Sequence, residues 1–228
     1  MKFSKIIVIL FLSVVPLYIG FQHLITTGKV PAGIDKPIPI ISVHIGATME
    51  NVRKASTFNF REPENMINPV YVTDKPNIFR YTQKGLEFTL PKAGYVFIVA
   101  AAEHITHIEV SPRSTYSSYE EVLSIINNLI EKFDNAGWKR DKKMNQLIKE
   151  PFDLIQKLEN VKILGSSTSA LVKYWRNGED TLYFIVQKMK TGHKPYRIVI
   201  FIDNKSIMKK YSDLNISNAI RKFHAEGN

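Results

Sequence analysis

Two histidines and two carboxylates stand close together in the stretch Glu103-His104-Ile105-Thr106-His107-Ile108-Glu109. Imidazole and carboxylate groups at this spacing can move protons or bind a metal ion. The β-branched residues favour a strand, on which side chains alternate between two faces. Glu103, His107 and Glu109 then share one face, and His104 points to the other. A polar sheet face is the favoured interpretation, and these three residues are the best candidates for acid–base catalysis or metal binding.

Other chemical motifs are absent from the sequence. It contains no glycine-rich phosphate loop, no H-E-x-x-H zinc helix and no dinucleotide fingerprint. The serine-rich stretch 165–170 lacks the G-x-S-x-G nucleophile elbow and is typical of a turn. Cysteine is absent, which excludes disulfides, thiol nucleophiles, thiolate zinc sites and a lipid-bearing cysteine. The sequence therefore lends no positive support to an enzyme, and it predicts no cofactor.

Aromatic side chains indicate a second kind of site. Tyrosine and tryptophan are common anchors of protein interfaces, although they are also common in cores. Core packing is the expected role for at least half of those in this chain. The candidates for a partner-binding surface are Tyr116, Tyr119, Trp138, Tyr174, Trp175 and Tyr183.

The first residues of the chain predict a membrane anchor. Lys2 and Lys5 precede a mainly apolar run over residues 6–25, which as a helix would reach about 30 Å, the thickness of the hydrocarbon core. The run is long for a cleaved signal and offers Gly20 as the one small residue of the stretch 17–22, so an uncleaved signal anchor is favoured over cleavage. The lysines before it predict a cytoplasmic N-terminus and an exported domain. The anchoring residues are Ile6, Ile7, Leu10, Phe11, Leu17 and Phe21.

Beyond the anchor, the pattern predicts a tether and one folded domain. Residues 26–39 are rich in proline and glycine and are typical of an extended linker. Residues 40–228 predict an α+β domain, an antiparallel sheet with segregated helices, because hairpin-like strands stand beside separate helical stretches. The order also admits two similar helix-and-sheet halves, 40–138 and 139–228.

Local patterns predict the individual elements. The clearest is a helix over 118–135, with an apolar stripe, a capping box at its start and Gly137 after its end. Residues 78–90 and 94–110 predict an antiparallel hairpin that reverses at 91–94, with 104–110 as a further strand or as the continuation of the second one. The remaining predictions are a strand from Ile40, a helix over 49–55, an irregular connection over 59–77, a helix over 144–158, strands at 161–165, 170–176, 180–188 and 196–202, and a helix over 215–223.

The stretch Gly46-Ala47-Thr48-Met49-Glu50-Asn51-Val52 has the pattern G-x-T-x-x-x-V. In physical terms it predicts a tight turn, a helix cap and one buried valine. It resembles the opening of small bacterial envelope lipoproteins of the outer-membrane assembly (SmpA/BamE-like) type, whose fold is related to that of β-lactamase inhibitory protein. The lipid-bearing cysteine of that family is missing from this chain. The resemblance implies a non-enzymatic binding module in the cell envelope, and it transfers no site residue.

The charge of the chain bears on its partners. A formal net charge of +10 favours anionic surroundings, such as lipid headgroups, cell-wall polymers or an acidic protein. Because an exported domain does not meet nucleic acid, nucleic acid is not an expected partner. The sequence predicts a non-catalytic binding module, single-pass in the inner membrane and facing the periplasm. It would be an immunity protein against an envelope-targeting effector or an assembly factor.

Two alternatives remain open at this point. The first is a membrane-anchored hydrolase that acts on cell wall or lipid and uses Glu103, His107 and Glu109. The second is a basic domain that only holds anionic headgroups, with binding that weakens steeply with salt.

Overall fold

A computed structural model describes residues 37–61, 69–146, 148, 151, 153, 156, 158, 167–189, 194–204, 206, 207, 209 and 210. No helix within these ranges is both long and apolar enough to cross a bilayer. The predicted anchor at residues 1–25, with Ile6, Ile7, Leu10, Phe11, Leu17 and Phe21, lies outside the described residues. So do most of the linker, the predicted strand at 161–165 and the predicted C-terminal helix.

The described residues build an α+β fold that is rich in antiparallel sheet, as the sequence predicts. In chain order the elements are β1 (Ile40–Val43), α1 (Met49–Ala55), β2 (Val70–Thr73), β3 (Asn77–Tyr81), β4 (Phe88–Ala93), β5 (Val96–Ala101), β6 (His104–Val110), α2 (Tyr119–Asn135), β7 (Lys139–Arg140), α3 (Lys142–Gln146), β8 (Ser167–Asn177), β9 (Asp180–Met189) and β10 (Tyr196–Asn204).

The strands form two sheets. The small sheet has the order β1-β3-β4, with β1 parallel to β3 and β4 antiparallel to β3. The large sheet has seven strands in the order β2-β5-β6-β10-β9-β8-β7, and every neighbouring pair is antiparallel. β10, the last described strand, lies between β6 and β9. Strands from 40–138 and from 139–228 therefore share one sheet.

Helix α2 packs its apolar stripe into the core. Ser118 begins it with the predicted capping box: its hydroxyl accepts from the Glu121 backbone N–H, and the Glu121 carboxylate accepts from the Ser118 N–H. Gly137 follows the helix at φ +90°, the left-handed stop that glycine favours. Both signals confirm the prediction. The stripe is fully or almost fully buried at Val122, Ile126, Leu129 and Phe133.

A chain of aromatic contacts joins the two sheets through α2. The Phe133 ring lies 4.9 Å from Phe88 of the small sheet and 5.3 Å from Trp175 of the large sheet, in edge-to-face geometry. Tyr81 stacks on Phe88 at 5.4 Å, and Trp175 stacks on Phe184 at 5.7 Å. The core is one continuous cluster that spans both sheets and the helix.

The predicted hairpin of 78–90 with 94–110 is wrong. β4 pairs with β3 in the small sheet, whereas β5 pairs with β2 and β6 in the large one, so the chain changes sheets between Ala93 and Val96. The reversal instead occurs at Ala102 and Glu103, whose φ angles of 47° and 69° make the β5–β6 turn. β2 lies within the stretch predicted to be irregular, where Pro69 and Pro76 obscure its pattern. Both prolines are compatible with an edge strand.

A buried polar network holds the small sheet against one end of the large sheet. The Tyr81 hydroxyl donates to Gln83 Oε1 at 2.6 Å, and the Gln83 amide donates to Asp180 Oδ2 at 2.5 Å. The Asn204 amide donates to the other oxygen, Asp180 Oδ1, at 2.6 Å. Asp180 and Asn204 are also directly paired in the β9–β10 register. The network satisfies a buried carboxylate and disfavours a register slip of β10.

Gly94 is required for space rather than for backbone freedom. A Cβ at this position would overlap Ser114 Cα and lie 2.6 Å from the Arg113 carbonyl oxygen. Gly85 is required for backbone freedom rather than for space. Its φ is +79°, and an added Cβ would meet nothing within 4 Å.

The two glycines predict different costs on substitution. Gly94→Ala should destabilise the fold by about 2–3 kcal/mol or more, since it overpacks a backbone crossing. Gly85→Ala should cost only about 1 kcal/mol, the penalty of a left-handed alanine. Urea unfolding followed by the fluorescence of the buried tryptophans would measure both. Equal costs would contradict the close crossing at Gly94.

Candidate functional site

The face of the large sheet that points away from α2, here called the outer face, carries the histidine and carboxylate candidates. Val99 pairs with His107 and Ala100 pairs with Ile105, so Thr106 is an extra residue that forms a β-bulge. Ile105 and Ile108 are both fully buried although they stand three residues apart. Strict alternation, which predicted opposite directions for His104 and His107, does not hold across this bulge.

His107 is held between two carboxylates on the outer face. Its Nδ1 pairs with Asp203 on the neighbouring strand β10, and its Nε2 lies 3.1 Å from Glu109 Oε1. The three side chains are only 15–25% exposed. Glu103 is not part of this cluster, because it lies in the turn before β6. Asp203 was not predicted, since it stands far along the chain and meets His107 only through the β6–β10 register.

The cluster has the chemistry of an ion pair. Burial by itself lowers the pKa of His107, but the hydrogen bonds and charges of Asp203 and Glu109 prevail and raise it to about 9. His107 is therefore protonated at neutral pH, and both ring nitrogens already face carboxylates. This arrangement leaves no nitrogen available as a general base. No metal-binding group of three or more histidine, aspartate or glutamate side chains occurs among the described residues.

An aromatic row crosses the outer face beside the ion pairs. Phe201 and Tyr183 stack at 4.9 Å, and Tyr183 and Tyr174 stack at 5.7 Å, with almost parallel rings. Burial and the charge of Asp203 raise the pKa of Tyr183 to about 12. These three rings belong to a line of directly paired residues that crosses six neighbouring strands. Its members are Val72, Phe97, Glu109, Phe201, Tyr183 and Tyr174.

The other predicted aromatic residues take different places. Trp138 and Trp175 belong to the core, at 3% and 0% exposure, so their prediction as a partner surface is wrong. Their indole N–H groups donate to the Leu86 carbonyl oxygen and to Asp134 Oδ1, which lets an amphipathic ring be fully buried. Tyr119 packs partly buried against the core, and Tyr174 is buried. Tyr116 is exposed, at 43%.

Exposed apolar side chains gather at the β2 end of the outer face. Val70 and Val72 on the edge strand are 40% and 57% exposed. Val72 stands directly opposite Phe97, and the Phe97 ring stacks on Tyr95 at 6.3 Å. Tyr95 and Tyr116 line the same cleft. We call this surface the edge patch; it consists of Val70, Val72, Tyr95, Phe97 and Tyr116.

A cleft of about 170 Å³ lies at the end of the edge patch. Two arginines line it, Arg113 and Arg197, with Asp74 as its carboxylate. The Arg197 guanidinium lies 4.4 Å from the centroid of the Tyr95 ring, in cation–π geometry. We call it the arginine cleft. Sequence reasoning missed it, because its residues come from four separate stretches that share no local motif.

Comparison of the chain with family models, with curated proteins and with solved structures finds no match. The stretch 46–52 has the predicted local geometry: Gly46 adopts φ +83°, Thr48 caps α1 and Val52 is buried. These are generic needs of a turn and a helix start, so the resemblance to SmpA/BamE-like proteins rests on that stretch alone.

The His107 ion pairs predict a pH-dependent stability. Because the pKa of His107 is raised above the ordinary value of 6.5, its contribution is complete below about pH 6.5 and is lost as pH rises through about 9. Allowing for solvent screening, we expect about 1–2 kcal/mol.

Urea unfolding at pH 6 and pH 9.5 would measure this contribution in the wild type and in His107→Gln. The wild type should lose more stability over that interval than the variant does. His44→Gln is the matched control. Burial lowers the pKa of His44, so this histidine contributes no stability that is lost as pH rises. Parallel pH profiles of wild type and His107→Gln would contradict the prediction.

Proposed function

We propose that this protein is a non-catalytic binding module that is tethered to the inner membrane of a Gram-negative bacterium and recognises a protein partner in the periplasm. The observation that carries the proposal is the edge patch, in which exposed Val70, Val72 and Tyr116 accompany the half-buried rings of Tyr95 and Phe97, and which ends at a cleft lined by two arginines. Such surfaces are typical of interaction sites.

The composition of the patch supports a protein partner. Tyrosine and arginine are enriched among the residues that dominate binding energy, and the patch places Tyr95 and Tyr116 beside Arg113 and Arg197. Val70 and Val72 supply apolar area next to them. The patch thus combines an apolar surface with a polar end, the usual anatomy of a specific interface.

The half-buried ion pairs support binding rather than catalysis. His107 contacts Asp203 and Glu109 and lies between the rings of Phe97 and Phe201, at 6.2 and 6.1 Å. This packing holds β6 and β10 against β5, the strand that carries Phe97 of the patch. It accounts for the histidine and carboxylates as support for a surface, without a hydrolytic role.

The sequence supports the tether. Residues 6–25 form the apolar run, and residues 26–39 would extend at most about 50 Å from the bilayer. A partner held in the same compartment would therefore meet the domain at a raised effective concentration. An immunity protein and an assembly factor both fit this arrangement.

The topology is the first prediction to test. A reporter that is active only in the periplasm, fused after Asn228, should be active, and the full chain should migrate at the mass of an uncleaved protein. A truncated variant that lacks residues 1–25 should lose the reporter activity. An inactive fusion of the full chain would place the domain in the cytoplasm and contradict the proposal.

Partner capture tests the surface itself. The full chain, purified from envelope extracts, should retain a stoichiometric protein partner, and the double variant Val72→Ser, Tyr116→Ala should retain at least about tenfold less. Ile38→Ser is the matched control, because Ile38 is 50% exposed and lies outside the patch.

The control should retain the partner at the wild-type level. Equal retention by the patch variant would show that the edge patch is not the binding surface. Circular dichroism of each variant would exclude unfolding as the cause of a loss.

A further inference from the structure

We infer that the arginine cleft binds a carboxylate of the protein partner, either an acidic side chain or a C-terminus. The partner's backbone N–H next to that carboxylate would donate a hydrogen bond to Asp74. This inference rests on the proposed function, since it names the group that anchors the partner at the end of the edge patch. The charges and packing of Arg197, Arg113 and Asp74 support it.

Arg197 presents an available guanidinium to the cleft. Its cation packs against the Tyr95 ring at 4.4 Å, and it makes no ion pair with any carboxylate in the described part of the chain. Stacking occupies the flat face of a guanidinium and leaves its N–H edge open. That edge matches the two oxygens of a carboxylate, which arginine binds in bidentate fashion.

Arg113 provides a second cation that is only weakly engaged. Its Nη1 lies 3.7 Å from Glu121 Oε1, and its side chain is 45% exposed. The same Glu121 oxygen already accepts from Lys194 Nζ at 2.9 Å, and the other accepts from the Ser118 N–H at 2.8 Å. The Glu121 carboxylate is thus largely satisfied without Arg113, which can turn toward a ligand.

The backbone holds the wall of the cleft in place. The segment 113–114 crosses directly over Gly94, where no side chain would fit. The Gly94 N–H donates to the Ser111 carbonyl oxygen at 3.1 Å, and the Ser111 hydroxyl donates to the Arg113 carbonyl oxygen at 2.9 Å. The cleft is therefore preorganised, which lowers the entropic cost of binding.

Asp74 distinguishes a peptide from a phosphate ligand. It places a hydrogen-bond acceptor beside the two arginines, and a fully ionised phosphate has no N–H or O–H donor to pair with it. The Asp74 carboxylate accepts hydrogen bonds from N–H groups, and a peptide carries a backbone N–H next to each of its acidic groups. The exposed Tyr116 in the lining of the cleft and the exposed Val72 of the edge patch favour a peptide chain over a lipid headgroup.

Side-chain NMR of the full chain in detergent micelles tests the inference. The arginine Nε–H signals would be followed while N-acetylglutamate is added, with Nα-acetylglutaminamide, in which both carboxylates are replaced by amides, as the uncharged control probe. The signals of Arg113 and Arg197 should shift with the acid and not with the amide. Arg197→Gln should weaken the binding about tenfold or more, and Arg197→Lys should restore it only in part.

Arg80→Gln is the matched control, because Arg80 is an exposed arginine of the small sheet, outside the cleft. It should leave the response unchanged. Two further probes address other ligands: inorganic phosphate and vesicles of phosphatidylglycerol. Stronger binding of either than of N-acetylglutamate, lost in Arg197→Gln, would identify a phosphate or headgroup site and overturn the inference. The absence of any shift would overturn it as well.

The outcome separates this inference from the proposed function. If a partner is captured through the edge patch and Arg197→Gln retains it fully, the cleft inference fails and the binding module stands. If N-acetylglutamate binds at Arg197 but no partner is captured, the carboxylate site stands and the proposed function fails.

Discussion

The packing of Phe133 between the two sheets is the contact on which the arrangement of the domain depends. Its ring touches Phe88 of the small sheet and Trp175 of the large sheet, so α2 is fixed between them. The start of α2 is held by a separate contact: Ser117 exchanges two backbone hydrogen bonds with Tyr196, the residue before Arg197. The helix is thus held at both ends, and its start lies beside a residue of the arginine cleft.

The large sheet separates two kinds of chemistry on its two faces. The inner face is mainly apolar and packs on α2, as the full burial of Ile98 and Ile200 shows. The outer face combines half-buried charges with stacked rings. Each carboxylate beside His107 lies in a less polar setting than water, where an unpaired charge is costly, so the three groups stabilise the face only as a set. The edge patch joins this charged centre at Phe97, whose ring lies 6.2 Å from that of His107.

The sequence predicts what short-range rules determine and misses what depends on distant strands. The apolar stripe and capping box of α2 and the strands predicted at 170–176 and 180–188 depend on local patterns, and the structure confirms them. The separation of β4 from β5 is not local, since either strand could pair with the other by pattern alone. Asp203 joins His107 only through the β6–β10 register, and the arginine cleft needs the packed fold.

The central place of β10 has a consequence for how the chain is made. Synthesis delivers residues from the N-terminus onward, and β10 is the last described strand to emerge. Until it arrives, β6 and β9 each present an open edge in the middle of the future sheet, a state that invites pairing with other chains. The large sheet is therefore completed late, when β10 pairs with β6 on one side and with β9 on the other.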